Sequence, residues 1–140
     1  MKLKIKKLSP NAFMPNYAHE GDAGMDFFAS EAITIKVGER VQVKTGISME
    51  IPQGYVGLIW DKSGLSHKQG LKTLGGVIDA GYRGEIMIGM INLGSEDYKI
   101  EAGHKVAQML IQKVESPELV EVEELDDTSR GWDGFGSTGK

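Results

Sequence analysis

Apolar residues recur at every second position through most of the chain. Leu3 and Ile5 alternate with lysines, and Ile33, Ile35 and Val37 alternate ahead of a Gly38-Glu39 turn. Val41, Val43, Ile47, Met49 and Ile51 then keep to one face as far as Pro52-Gln53-Gly54. A period of two puts successive side chains on opposite faces of a strand, so the pattern predicts half-buried strands joined by hairpins. Tyr55 to Trp60 is a nearly continuous apolar run and predicts a strand buried on both faces. Glu85 to Leu93 and Lys105 to Val114, bounded by Gly84, Gly94 and Gly103, add two more strands. Only Ser63 to Gly70 invites a helix, of barely two turns, with Ser63 as N-cap and Gly70 as the stop. The expected class is all-β, a sandwich or barrel of short strands. Such strands are too few and too short to hide every edge in a monomer, so an oligomer is expected.

Composition narrows the possibilities. A chain of 140 residues is the size of one domain, and 40% hydrophobic with 26% charged residues excludes disorder throughout. With 16 Lys+Arg against 20 Asp+Glu the net charge is −4, which supplies no global field for a nucleic-acid backbone. The absence of cysteine excludes a disulfide scaffold, a zinc finger and thiol catalysis together. No apolar run approaches the roughly 20 residues of a membrane span, and Met1-Lys2-Leu3-Lys4-Ile5-Lys6 does not read as a signal peptide. The expectation is a soluble cytoplasmic protein with neither nucleic acid nor membrane as partner. Against 4 prolines stand 19 glycines, whose positions imply local backbone tasks.

Four segments hold candidate chemistry. Asp61-Lys62-Ser63-Gly64 enters the predicted helix, where free amide N–H groups, a lysine and a hydroxyl can hold a phosphate; an ordinary capped turn is the plain alternative. Gly75 to Gly84 reads as a glycine-flanked hairpin with Asp79 at its tip. A bare backbone there can present its N–H and C=O groups to a nucleobase edge while the carboxylate deprotonates a water; simple turn chemistry, with Tyr82 as a half-buried cover, is the alternative. In Gly103 to Met109, Gln108 points away from Ala107 and Met109, and its amide can reach a phosphate. His19, His67 and His104 are scattered and form no metal-ligand spacing.

The tail changes character. Glu115 to Ser129 is acidic, and the glycine-rich Arg130 to Lys140 has almost nothing to bury, so it reads as a segment mobile while the site is empty. It nevertheless carries an arginine suited to phosphate oxygens, a phenylalanine able to stack on a base, and hydroxyls at Ser137 and Thr138.

Taken in order, these segments resemble the five motifs of the homotrimeric dUTP diphosphatase (dUTPase) family. Asp22-Ala23-Gly24-Met25-Asp26-Phe27 is similar to the first motif, Lys62-Ser63-Gly64-Leu65 to the second, and Gly76 through Gly84 to the third. Gly103 to Gln108 resembles the fourth and Arg130 to Gly139 the fifth. The resemblance implies a distorted jelly-roll-like β-barrel with one short helix over residues 1–128, ending in an acidic hinge, and a C-terminal arm over 129–140. It further implies a homotrimer with sites at the subunit interfaces, each closed by an arm from another chain. The implied reaction is hydrolysis of dUTP to dUMP and pyrophosphate, which limits uracil in DNA and supplies dUMP for thymidylate synthesis.

By the same resemblance Asp79 is the catalytic residue, activating the water that attacks the α-phosphorus. Tyr82 packs beneath the deoxyribose and leaves no room for a 2′-hydroxyl, while backbone atoms around Gly76, Val77, Ile78 and Met87 read uracil. Lys62, Ser63, Gly64, Gln108, Arg130, Ser137 and Thr138 grip the triphosphate, and Phe135, beside Gly136, lies over the base. The implied cofactor is Mg2+, bound mainly by the triphosphate, with Asp26 touching it through water only.

Some positions depart from the family pattern. Lys62 stands where arginine is common, His104-Lys105 replaces an Asp-Arg pair, Gly81 replaces a second aspartate, and Asp133 replaces a glycine. Two rivals follow from the same residues. A dCTP deaminase needs a glutamate base where this chain has Gly89, and a non-catalytic trimeric β module needs no Asp79 and no arm.

Overall fold

The structure, a computed structural model, describes residues 1–139; Lys140, the last residue of the expected arm, lies outside the described residues. Eleven strands and one helix are formed among them. In chain order they are β1 (Lys4–Lys7), β2 (Met25–Phe28), β3 (Ile33–Ile35), β4 (Arg40–Val43), β5 (Ile47–Glu50) and β6 (Tyr55–Trp60). Helix α1 (Ser63–Gln69) follows, then β7 (Leu71–Leu74), β8 (Val77–Ile78), β9 (Ile88–Asn92), β10 (Tyr98–Ile100) and β11 (Lys105–Lys113). The all-β expectation with one short helix holds.

The pairing does not follow the predicted hairpins. The sheets run β1-β5, β3-β10, β2-β11-β6-β8 and β4-β9-β7, all antiparallel, and no two strands consecutive in the chain share a ladder. Turn signals report where a strand stops, not which strand lies beside it. The ladders form four separate sheets around one core and do not close into a ring. Phe27, Ile35, Ile47, Ile51, Leu71, Ile86, Ile88, Met90, Ile100 and Met109 fill that core.

Three further corrections concern local structure. The single strand expected from Val41 to Ile51 is broken at Lys44-Thr45-Gly46 into β4 and β5, which pair with different partners. The break is held from outside: Ser30 N–H bonds the Lys44 carbonyl (2.8 Å), Leu8 N–H bonds the Gly46 carbonyl (2.7 Å), and Gly46 N–H bonds the Glu85 carboxylate (2.8 Å). Strand β6 is buried on one face only, because Gly57 and Ile59 point inward while Trp60 is 54% exposed. The segment Gly75 to Gly84 does not form a ladder of its own; β8 pairs with β6 instead.

Strand β11 organises the site. It lies between β2 and β6, and its register shifts between Lys105 and Ala107. This bulge buries both Val106 and Ala107 and reverses the parity of the positions before it. Lys105 and Gln108, which an unbroken strand would send to opposite faces, both come to face Asp26.

Candidate active site

Asp26 sits on β2 opposite Gln108 of β11 and is only 1% exposed. A buried carboxylate is costly unless it is paired, and here two ammonium groups pair it. Lys62 Nζ lies 2.6 Å from Oδ1 and Lys105 Nζ 2.7 Å from Oδ2. Both are short charge-assisted pairs, and Oδ2 is closed off from solvent. Burial by itself pushes the Asp26 carboxyl up; Lys105 and Lys62 together outweigh it and hold it below the ordinary 3.8.

Lys62 occupies the N-cap of α1 in an extended conformation, with no side-chain cap bond. Ser63, expected as the cap, is instead the first helical residue. Gly70 ends the helix as expected, at φ 72. An uncapped start leaves first-turn N–H groups without intrahelical partners, and Ser63 and Gly64 are exposed beside the Lys62 ammonium. The cleft beside Lys62, of about 570 Å³, is lined by Gly24, Asp26, Trp60, Asp61, Lys62 and Gln108 among others, and Ser63 and Gly64 lie outside its wall.

Asp61 is the brace of this cleft. Its Oδ1 accepts from both the backbone N–H and the hydroxyl of Thr73, each at 2.7 Å, and its Oδ2 pairs with Lys72 at 2.9 Å. Burial pushes this carboxyl up as well, but the Thr73 and Lys72 contacts outweigh it and hold it below 3.8. The Asp61 carbonyl accepts from Gln108 Nε2 at 2.8 Å. Gln108, expected on the triphosphate, therefore braces the loop that carries Lys62 and Ser63. Its side chain lies over Gly24, where an added Cβ would run into Gln108 Oε1. Sequence reasoning missed the bracing role of Asp61; the only signal was an acid directly ahead of Lys62.

The second group of expected residues lines a different cleft, of about 270 Å³, with Val77, Ile78, Asp79, Tyr82 and Met87 in its wall together with Gln42, Glu85 and Ile86. Asp79 is exposed at the head of a turn closed by Tyr82 N–H bonding the Asp79 carbonyl at 3.0 Å. Arg83 Nη1 bonds the carbonyls of Ala80 (2.7 Å) and Tyr82 (2.8 Å) and wraps the same turn. Gly76 has φ 119 and gives its carbonyl to Ile59 N–H at 2.8 Å. A Cβ on Gly76 would sit 2.9 Å from the Ile59 carbonyl oxygen, so the chain can pass β6 here only as glycine. The Gly76 carbonyl is thus bonded to β6 and Ile78 is paired with Gly57 in the same ladder, while Val77 and Met87 are exposed in the wall of the cleft.

The arm lies apart from both clefts. Asp133 N–H bonds the Arg130 carbonyl at 3.1 Å, and Arg130 Nε bonds the Asp133 carbonyl at 2.8 Å, so the two residues close one turn on each other. Further turns run from Gly134 to Ser137 and from Gly136 to Gly139. Phe135, at φ 49, and Trp132 cover nothing and are themselves uncovered.

Among the described residues no three His, Cys, Asp or Glu side chains group to hold a metal. Asp26 lines the first cleft with both oxygens paired to ammonium groups, which leaves it able to meet an ion carried on a ligand only across a water. On β9, a Cβ at Gly89 would press on Leu74 at 3.1 Å, leaving little room for the glutamate a deaminase needs.

A cleft at a helix start where Lys62 is paired with Asp26, a slot whose wall carries Asp79 and Glu85, and an arm of stacking and hydroxyl groups are the parts of an all-β protein that handles a nucleotide. Comparison with known proteins agrees. The chain belongs to the dUTPase family, whose model matches residues 10–139. It is 50% identical over 141 residues to the deoxyuridine 5'-triphosphate nucleotidohydrolase of Clostridium novyi (strain NT), with 99% of each covered, and 45% identical to that of Clostridioides difficile, with 98% and 97% covered. Among solved structures, the Staphylococcus bacteriophage 80alpha dUTPase with dUPNHPP superposes at a TM-score of 0.95 with 35% identity over 99% of both chains. A mutant dUTPase from phage phi11 of S. aureus, solved with a structural Mg(II) ion, superposes at 0.84 with 34% identity, covering 89% of this chain and 98% of that one.

Proposed function

We infer that this protein is a dUTP diphosphatase, hydrolysing dUTP to dUMP and pyrophosphate in an active site assembled between three copies of the chain. One observation carries the assembly: the cleft with Lys62 and Asp26 and the cleft with Asp79 and Tyr82 have no lining residue in common. A nucleotide needs both kinds of cleft at once. The phosphate-binding cleft of one copy facing the base-binding cleft of another meets that need, with the arm, residues 129–140, supplied by a third. The outer face of β6 and its neighbours supports the same reading, since Trp60 and Val77 are exposed and Leu58 and Leu110 half-buried in the lone chain. An apolar face of this kind is normally covered by a partner.

In this reading Asp79 accepts a proton from a water as the water oxygen bonds to the α-phosphorus. The bond from that phosphorus to the bridging oxygen breaks, and pyrophosphate leaves with the electron pair. Lys62 and the open first-turn amides of α1 hold the triphosphate in line, with Gln108 keeping their loop in place. Arg130, Ser137 and Thr138 close on the phosphates from the arm, Phe135 covers the base, and closure excludes bulk water. Mg2+ bound to the triphosphate supplies charge neutralisation at the phosphate oxygens and needs few protein ligands. In this reading Asp26 would contact that ion through water only. A cysteine-free chain suits a reducing cytoplasm, where we place the reaction.

Base choice rests on the Val77–Met87 turn. Backbone donors and acceptors matched to uracil leave cytosine with mismatched groups, and a close-fitting slot meets thymine's methyl group. The test is pyrophosphate release from dUTP, dCTP, dTTP and UTP. Wild-type protein should cleave dUTP far faster than the others, and Asp79→Asn should still bind dUTP while turnover falls about a hundredfold or more. Binding without cleavage by the wild-type protein would favour a nucleotide-binding module instead.

A further inference from the structure

Tyr82 can exclude a 2′-hydroxyl only if its ring keeps a set height and tilt, and two bonds of one neighbouring residue control both. The Tyr82 hydroxyl donates to the Glu85 carbonyl at 2.8 Å. The ring is folded back over Gly84, where any Cβ would strike the phenolic oxygen. The Glu85 side chain runs the other way: its Oε1 accepts from Gly46 N–H at 2.8 Å. Gly46 is buried at φ 66, and an added Cβ would stand 2.8 Å from the Ala12 Cβ and 3.0 Å from Ser9 Oγ. Glu85 is thus anchored to a backbone position that cannot shift toward the core.

The residues around it share the same anchor. Ser48 Oγ donates to the Arg83 carbonyl at 2.7 Å, Ile86 N–H to the Ile47 carbonyl at 2.8 Å, and the buried Thr45 hydroxyl to the Ile86 carbonyl. Residues 83–86 are therefore laced to residues 45–48, the end of the break between β4 and β5 and the start of β5. Among these contacts, only those of Glu85 continue directly into the tyrosine ring.

We propose that Glu85 is a positioning residue for sugar selectivity, holding the Tyr82 ring where it admits deoxyribose and rejects ribose. The proposal rests on the placement of Tyr82 beneath the sugar. An apolar surface alone rejects an added hydroxyl only modestly, by about a hundredfold, and a ring free to tilt rejects it less. Rigid support of the ring is what preserves the discrimination.

The experiment compares kcat/KM for dUTP and UTP in the full-length wild-type protein and in the Glu85→Ala, Glu85→Gln and Tyr82→Phe variants, with thermal melts to verify folding. Glu85→Ala should lower the dUTP-to-UTP ratio by about tenfold, with UTP hydrolysis rising, a gain that general loosening of the fold does not produce. Glu85→Gln retains an acceptor for Gly46 N–H and should restore the wild-type ratio. Tyr82→Phe removes the tether from its other end and should lower the ratio as Glu85→Ala does; it carries the test if Glu85→Ala does not fold. An unchanged ratio in folded Glu85→Ala, or in Tyr82→Phe, overturns the proposal, as does a Gln variant that falls as far as the Ala variant. The wild-type ratio tests the underlying reading separately, since a wild-type protein that cleaves UTP as readily as dUTP removes the role of Tyr82 itself.

Discussion

Lys62 Nζ stands 2.6 Å from Oδ1 of Asp26, a carboxylate almost wholly removed from solvent. The pair aims a lysine that, unlike an arginine, has no planar fork to orient it. Asp26 supplies the orientation the lysine lacks. Because Lys105 shares the same carboxylate, Asp26→Asn leaves two ammonium groups side by side without their anion. The expected loss is about 1–3 kcal/mol of stability, read from the urea midpoint, together with a higher KM for dUTP.

The acid limb of stability follows from two carboxylates. Asp26 and Asp61 both have carboxyls lowered from 3.8 in the folded chain. Each therefore contributes stability that is fully present above its unfolded value near 3.8 and is lost as the pH falls through the folded value. Urea midpoints should be flat with respect to these two groups near neutral pH and should decline below about pH 4. The double variant Asp26→Asn with Asp61→Asn should start lower and show a shallower acid decline. An acid limb as steep as that of the wild type would assign the loss to other groups.

Gly24→Ala tests whether Gln108 braces the cleft. The new methyl displaces the Gln108 side chain and with it the bond to the Asp61 carbonyl. The Lys62 loop then loses one attachment, while the contacts of Asp61 with Thr73 and Lys72 and of Lys62 with Asp26 remain. Expected is a fall in kcat/KM for dUTP of about tenfold or more, with far-ultraviolet circular dichroism unchanged.

Truncation before Arg130 tests the arm. Its turns reach no further back than Thr128, and Trp132 and Phe135 are exposed, so removing the arm uncovers none of the core. The shortened protein should keep its melting temperature and its oligomeric state while turnover collapses. Full activity in that protein would refute the closing role of residues 129–140.

Much of the architecture was legible along the chain because it depends on local chemistry. Alternation at Val41–Val43 and at Ile47–Met49 announced strands, and a left-handed glycine at Gly70 announced the end of the one helix. Motif chemistry around Lys62, Asp79 and Arg130 marked the segments proposed for the site, since each needs particular side chains within a few residues of one another.

What the sequence by itself determined was therefore the strand-forming pattern and the all-β class. Tertiary structure alone decided which strands lie side by side, because alternation marks a buried face without naming the strand beside it. It also decided that Val41 to Ile51 breaks at Gly46, where Leu8, Ser30 and Glu85 claim backbone groups that a continuous ladder would have used. The bulge at Val106 that turns Lys105 toward Asp26 is of the same kind. These features arise from partners distant in the chain, and a one-dimensional pattern holds no record of distances between residues that meet only on folding.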